Sequence, residues 1–262
     1  MAKIISLVNQ KGGVGKTTTS INLSAALGKL RKKTLLVDLD PQGNASTGLG
    51  INKGDIESSI YEVLVGTANI QDTIIKTKFT NLSVLPATIN LAGVDIEFVE
   101  KAQDSKDFKM NEQLKKVLDT IRDKYDYIII DCPPSLGVLT LNALVASDAI
   151  IIPVQCEYFA IEGLTQLLNT VIITQKRMNP HLEIEGVLLT MLDQRTNLGL
   201  DVVDEVRNYF GDKTFNTIIP RLIRLVEAPS HGVPINEYDP TNRATEAFHN
   251  LAKEVIERDG AK

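Results

Sequence analysis

Near the start of the chain, Asn9-Gln10-Lys11-Gly12-Gly13-Val14-Gly15-Lys16-Thr17-Thr18 brings glycines, lysines and hydroxyls together in one short stretch. An apolar β-branched run over 4–8 precedes it, and a stretch of helical period over 16–29 follows. Glycines between a strand and a helix let backbone N–H groups converge on an anion, and the helix N-terminus favours negative charge there. Lys16 would face the β- and γ-phosphates of a nucleotide, and the Thr17 hydroxyl would ligate Mg²⁺. Gln10 stands where the general phosphate-loop pattern asks for glycine, so the match to that broad pattern is incomplete.

Carboxylates at the ends of other apolar runs fit the same chemistry. Asp131 closes the run over 127–131 and precedes Cys132-Pro133-Pro134-Ser135. An aspartate in that place can hold Mg²⁺ or its water shell. In Asp38-Leu39-Asp40-Pro41-Gln42-Gly43, alternation puts Asp38 and Asp40 on one side while the strand lasts, and Pro41 with Gly43 then turns the chain. Phosphoryl transfer is mainly positioning and charge stabilisation, so a carboxylate and two lysines suffice for slow hydrolysis.

The elements that must position these residues can be read from the pattern of apolar residues. Runs over 4–8, 34–38, 82–86, 127–131, 149–154, 187–192 and 215–220 predict strands, and helical periods cover 16–29, 110–123, 137–146, 158–178, 198–210 and 242–258, the last capped by Thr241. Alternation of this kind predicts an α/β fold, a mostly parallel twisted sheet with helices on both faces. In such a sheet ligands bind beyond the carboxyl ends of the strands, where both the glycine loop and the aspartates fall. The chain has 262 residues, 43% of them hydrophobic, without a repeat or a long linker, so 1–262 reads as one domain. Cys132 and Cys156 are far apart and in no metal-binding spacing, which excludes a disulfide scaffold and points to a reducing, cytoplasmic setting. No stretch approaches about 18 consecutive apolar residues, the length a spanning helix needs. A net charge of −5 excludes a globally basic nucleic-acid binder and leaves only a local patch for DNA.

The loop Lys11-Gly12-Gly13-Val14-Gly15-Lys16-Thr17-Thr18 resembles the deviant Walker A motif of the ParA/MinD group of P-loop ATPases. Longer strings, among them LLVDLDPQGNASTGLG, YDYIIIDCPPSLGVLTLNAL and IPVQCEYFAIEGL, are similar to the chromosomal ParA, or Soj, branch of that group. The resemblance implies an ATPase that forms an ATP-dependent sandwich homodimer, binds double-stranded DNA nonspecifically on the nucleoid and is stimulated by a ParB/Spo0J-like centromere-binding protein. It implies that Lys11 reaches across the dimer to the partner's phosphates, that Asp40 orients the attacking water and that Asp38 lies near the metal. Met191, Pro220 and Leu222 would border the adenine. Relatives usually carry asparagine where this chain has Leu222, which makes nucleotide preference the property most exposed to change.

Arg195 follows the run over 187–192, and Arg221 and Arg224 follow that over 215–220. The family places DNA-contacting arginines at the positions of Arg195 and Arg224, and Arg221 lies between them in sequence. The first strand starts near Ile4, leaving no room for the N-terminal helix-turn-helix of larger plasmid relatives, so operator-specific repression is not expected. An alternative is a MinD-like membrane-surface ATPase in division-site placement, but the last residues, VIERDGAK, lack the bulky apolar face of an amphipathic anchor. An electron-transfer ATPase like nitrogenase iron protein would need cysteines placed for a shared cluster, whereas Cys132 falls at the Mg²⁺ end.

Overall fold

A computed structural model describes residues 1–157 and 162–260. Its strands are β1 (Lys3–Leu7), β2 (Thr34–Asp38), β3 (Ile75–Lys76), β4 (Leu82–Leu85), β5 (Tyr127–Asp131), β6 (Ala149–Gln155) and β7 (Glu183–Thr190). They form one sheet in the order β3-β4-β2-β5-β1-β6-β7. Every neighbouring pair is parallel except β3 with β4. The consecutive apolar residues of the central strands serve two cores at once. Ile4, Ile128, Ile130, Ile150 and Ile152 enter one core, while Ile5, Ile129 and Ile151 enter the other. Period-two alternation therefore persists even though both faces are apolar.

Helices α1 (Lys16–Lys29), α10 (Arg224–Ser230), α11 (Ile235–Tyr238) and α12 (Arg243–Gly260) contribute to the second core; α6 (Gln113–Asp119), α7 (Val138–Ala146), α8 (Thr165–Arg177) and α9 (Asn197–Phe210) contribute to the first. Between β2 and α6 run the short helices α2 (Asn44–Gly48), α3 (Ile60–Leu64) and α4 (Ile70–Thr73), and the longer α5 (Val94–Asp104). The helix expected over 158–178 is described from a 3₁₀ turn at Glu162–Leu164 onward, so its first four positions lie outside the described residues. Asn242, not Thr241, caps α12: its Oδ1 accepts the Ala244 N–H at 2.9 Å, while the Thr241 hydroxyl turns to Asp239.

The expected strand over 215–220 does not form. Among the described residues the segment meets β7 through one isolated bridge, Val187 with Thr214, and through the Ile219 N–H on the Leu189 carbonyl at 2.9 Å, while a second bridge, Leu192 with Pro220, lies just beyond the strand. Between them the Asn216 and Thr217 amides are drawn away to the Glu254 carboxylate of α12, at 2.8 and 3.1 Å. Pro220 then has no N–H for a ladder. Arg258 completes the clamp: it donates to the carbonyls of Glu185 (2.7 Å) and Thr214 (3.0 Å) and to Glu254 (3.0 Å), with its guanidinium 4.2 Å from the Phe215 ring centre. Arg258→Ala removes charge-assisted bonds from partly buried acceptors and is expected to cost about 3 kcal/mol. Urea unfolding should show a lower midpoint at unchanged slope; an unchanged midpoint would show that α12 does not hold this segment.

At one place two helical segments meet backbone to backbone. A Cβ on Gly232, just past α10, would lie 2.6 Å from the Gly50 Cα, and one on Gly50, just past α2, would lie 2.9 Å from the Gly232 carbonyl oxygen. Both residues also have positive φ, 80° and 65° for Gly50 and Gly232, so glycine is required twice over.

Candidate nucleotide site and arginine groove

Because β1, β2, β5 and β7 run parallel, the segments following them emerge along one edge of the sheet. The glycine loop follows β1 and closes on α1, with Gly13 and Gly15 at φ 76° and 87° and Gly15 capping the helix. Its shape is held from outside. Asn9 Nδ2 donates to the Pro153 carbonyl at 2.8 Å, and its Oδ1 accepts the Lys11 N–H at 2.9 Å. Thr190 Oγ1 donates to the Val14 carbonyl at 2.9 Å. Gln10, the departure from the general pattern, donates to the Gly163 carbonyl at 2.8 Å. A glycine there would leave the loop without its tie to the turn ahead of α8, a role not visible in sequence because the partner lies 153 residues away.

The two lysines point apart. Lys16 is buried, its Nζ 3.2 Å from the Lys11 carbonyl. Desolvation lowers its pKa, opposed by the nearby charges of Asp131 and Asp40. The Lys11 side chain is 47% exposed and reaches outward, 3.9 Å from Glu157.

Asp38 and Asp131 are direct neighbours across β2 and β5. Both are fully buried, and burial, reinforced by their mutual repulsion, pushes Asp131 up to about 7. Asp38 is pushed up to about 6 by burial, against the hydrogen bonds that favour its charge. These bonds come from the Ser46 amide (2.8 Å) and hydroxyl (2.7 Å) to Oδ2 and from the Asp40 amide (3.3 Å) to Oδ1, so Asp38 suspends α2 from the strand end. Asp131 accepts from Ser20 at 2.9 Å through Oδ1, while its buried Oδ2 has no hydrogen-bond partner of normal geometry. The Thr17 hydroxyl lies beside that carboxylate and favours its ionised form. An unsatisfied buried carboxylate oxygen beside a hydroxyl fits a divalent cation or its water. Mg²⁺ is usually held by one or two protein groups and completed by substrate phosphates and water, which is the number of groups available here. Asp40 sits half-buried at the turn after β2, its Oδ1 accepting the Gln42 N–H at 2.9 Å.

Beside the loop is a cavity of about 180 Å³, lined by Gly15 and Thr18 on one side and by Met191, Pro220 and Leu222 on the other. Met191 has positive φ, 57°, and its Cε lies 3.6 Å from where a Cβ on Gly15 would stand. The glycine loop and the expected base-bordering residues are thus brought together.

A family model described as an AAA domain matches residues 2–184. The sporulation initiation inhibitor protein Soj of Bacillus subtilis (strain 168) is 58% identical over 255 residues, covering 97% of this chain and 98% of that protein. The chromosome-partitioning ATPase Soj of Treponema pallidum (strain Nichols) is 51% identical over 262 residues, covering 100% of both. The chain belongs to the Soj/ParA family of chromosome-partitioning ATPases. A Mycobacterium smegmatis structure described as cobyrinic acid a,c-diamide synthase with bound ADP and magnesium matches at TM-score 0.87 and 33% identity, covering 100% of this chain and 96% of that one. That likeness bears on the P-loop fold; family membership rests on the relatives.

In this Soj/ParA chain the candidate DNA-contacting arginines also converge. Arg195, Arg221 and Arg224 line a broad groove of about 1160 Å³, joined by Arg243 from the start of α12. Sequence reasoning missed Arg243, since nothing in its local pattern separates it from any solvated arginine. The four are not equally available. Arg195 is held bidentate by Asp193 at 2.9 and 2.7 Å, which keeps the Asp193 carboxyl down at about 2. Arg224 is engaged by Glu227 at 3.0 Å and the Tyr238 hydroxyl at 3.4 Å. Arg221 and Arg243 form no ion pair among the described residues.

Proposed function

We propose that this chain works as a single ATPase domain that binds Mg·ATP, dimerises on it, holds DNA nonspecifically in the dimer and lets go after hydrolysis stimulated by a ParB/Spo0J-like partner. The observation that carries the reading is a shared wall: Pro220, Arg221 and Leu222 line both the cavity beside the phosphate loop and the arginine groove. What occupies one cavity therefore bears on the residues of the other.

The roles of individual residues follow from their placement. Gly12, Gly13, Val14, Gly15 and Thr18 offer the phosphate cradle, Lys16 neutralises the outer phosphates, and Met191, Pro220 and Leu222 flank the base. Thr17 and Asp131 would hold Mg²⁺, which neutralises developing phosphate charge when bound; Asp38, whose oxygens are engaged by α2, shapes that site from alongside. Asp40 orients water at the mouth. Lys11, half-exposed and directed away from its own loop, is free to serve a second protomer. A membrane-surface role would need an exposed apolar helix face, whereas the apolar face of α12, Ala244, Phe248, Leu251 and Val255, is buried in the core.

Phosphate release measured with and without duplex DNA and an N-terminal peptide of a ParB-like protein tests the class. Synergistic stimulation is expected, and indifference to both additions would refute it. DNA affinity itself should be electrostatic. Arg195→Ala, Arg221→Ala, Arg224→Ala or Arg243→Ala should each weaken binding to every duplex sequence alike. The slope of log affinity against log salt should shrink by about 0.9 per lost phosphate contact, and by about twice that in a symmetric dimer. The unpaired Arg221 and Arg243 should show the larger losses, because Arg195 and Arg224 must first leave carboxylate partners. A salt series identical to wild type for all four variants would move the interface elsewhere.

A further inference from the structure

The two carboxylates that end β2 and β5 are treated differently by their surroundings, and the difference carries an inference that rests on the nucleotide and Mg²⁺ reading above. Both Asp38 oxygens accept from the protein: Oδ2 takes the Ser46 amide and hydroxyl at 2.8 and 2.7 Å, and Oδ1 takes the Asp40 amide at 3.3 Å. Asp131 is engaged differently. The Ser20 hydroxyl donates to its Oδ1 at 2.9 Å, while the buried Oδ2 has no hydrogen-bond partner of normal geometry and the Thr17 hydroxyl lies beside the carboxylate.

Ser20 is fully buried in α1, one turn beyond Lys16 and Thr17. Residues three and four apart share a face of a helix, so one rigid element presents the lysine, the Thr17 hydroxyl and the Ser20 hydroxyl together. The Ser20 hydroxyl has one proton and two acceptors in reach, Asp131 Oδ1 and the Lys16 carbonyl at 3.0 Å. In a helix that carbonyl is already served by the backbone N–H four residues on, whereas a buried carboxylate gains a charge-assisted bond about twice as strong as a neutral one. Loss of the bond releases the terminal torsion of the aspartate, which is broad by nature, and Oδ2 loses its fixed direction. We propose that Ser20 is a positioning residue for Mg²⁺: by pinning Asp131 through Oδ1 it keeps Oδ2 turned toward the cation, and it ties the metal-holding end of β5 to the helix that carries the phosphate loop. Groups that orient a metal-holding carboxylate are typically worth about ten- to a hundredfold in metal affinity.

The test is binding of a fluorescent N-methylanthraniloyl ADP to the purified full chain, first in EDTA and then across a Mg²⁺ titration, which reads binding and not turnover. Ser20→Ala is expected to raise the Mg²⁺ concentration at half-saturation by about tenfold or more. Affinity in EDTA should stay at the wild-type level, since the hydroxyl faces Asp131 and not the phosphate loop. Asp131→Ala removes the group through which Ser20 acts, so adding Ser20→Ala to it should cost nothing further in Mg²⁺. An unchanged Mg²⁺ titration in Ser20→Ala, an equal loss in EDTA, or a full additional loss in the Asp131→Ala background would each overturn the proposal and leave the nucleotide site standing. If the wild-type chain binds the fluorescent nucleotide without any response to Mg²⁺, the metal reading falls and the proposal with it. If it binds neither in EDTA nor in Mg²⁺, the nucleotide reading itself is overturned.

Discussion

Asp40→Ala is expected to lower ATP turnover by a factor of about a hundred or more while ATP stays bound, since a positioned proton acceptor contributes roughly 10²–10⁴ in rate. The residue stands at the mouth of the site, half-buried, within electrostatic reach of the Lys16 ammonium. Among the described residues its one side-chain hydrogen bond is local, from the Gln42 amide at 2.9 Å. Its loss therefore disturbs a surface turn and not the strand end from which α2 hangs. A nucleotide-bound dimer that no longer hydrolyses should accumulate, visible as a persistent dimer in size-exclusion chromatography with ATP and as absent phosphate release. Asp40→Asn separates the two roles of the side chain, because the amide oxygen can still accept from Gln42 while the charge is gone. If the asparagine variant is as slow as the alanine one, the carboxylate itself does the work. A variant releasing phosphate at the wild-type rate would take Asp40 out of the mechanism.

The second large effect separates Lys16 from Lys11. Lys16 is buried at the head of α1 and held between the Lys11 carbonyl and the charges of Asp131 and Asp40. Lys16→Ala removes a charge-assisted contact in a desolvated place and should weaken ADP and ATP binding about a hundredfold. It also leaves the buried Asp131 carboxylate without the Lys16 charge beside it, so metal-free nucleotide should bind worst of all. Lys11→Ala is expected to leave ADP affinity of the monomer within about threefold of wild type, because its side chain turns outward to an exposed, weakly held contact with Glu157. Its loss should appear in light scattering with ATP, as a failure to dimerise. Equal loss of ADP affinity in the two variants would contradict a role for Lys11 across an interface.

The parts of the molecule legible in its sequence are those where one local cause decides. Consecutive β-branched residues at 127–131 and 149–154 have no choice but burial on both faces, and the glycines of the loop sit where positive φ is needed at Gly13 and Gly15. The aspartates ending β2 and β5 were legible for the same reason. Elsewhere the deciding partner lies far along the chain. The segment 215–220 has the composition of a strand, yet Glu254 and Arg258 compete for its backbone groups. Thr241 and Asn242 are both acceptable caps, and the contact of Thr241 with Asp239 leaves the role to Asn242. The short helices between β2 and α6 and the two-residue β3 carry too few periods for a pattern to show. Ser46, whose hydroxyl and amide fix Asp38, reads in sequence as one more small polar residue.

The glycine pair at 50 and 232 sets how stiffly two parts of the molecule are geared together. Where side chains separate two elements, rotamers shift and absorb a few tenths of an ångström, so a small displacement on one side dies out before it reaches the other. Where Gly50, just past α2, meets Gly232, just past α10, there is no such cushion, only backbone against backbone. At one end of this gear train α2 is hooked to Asp38 at the phosphate end of the sheet, and at the other α10 starts with Arg224 on the wall of the arginine groove. With no slack in the teeth, α2 cannot be pushed toward α10 without carrying that helix along.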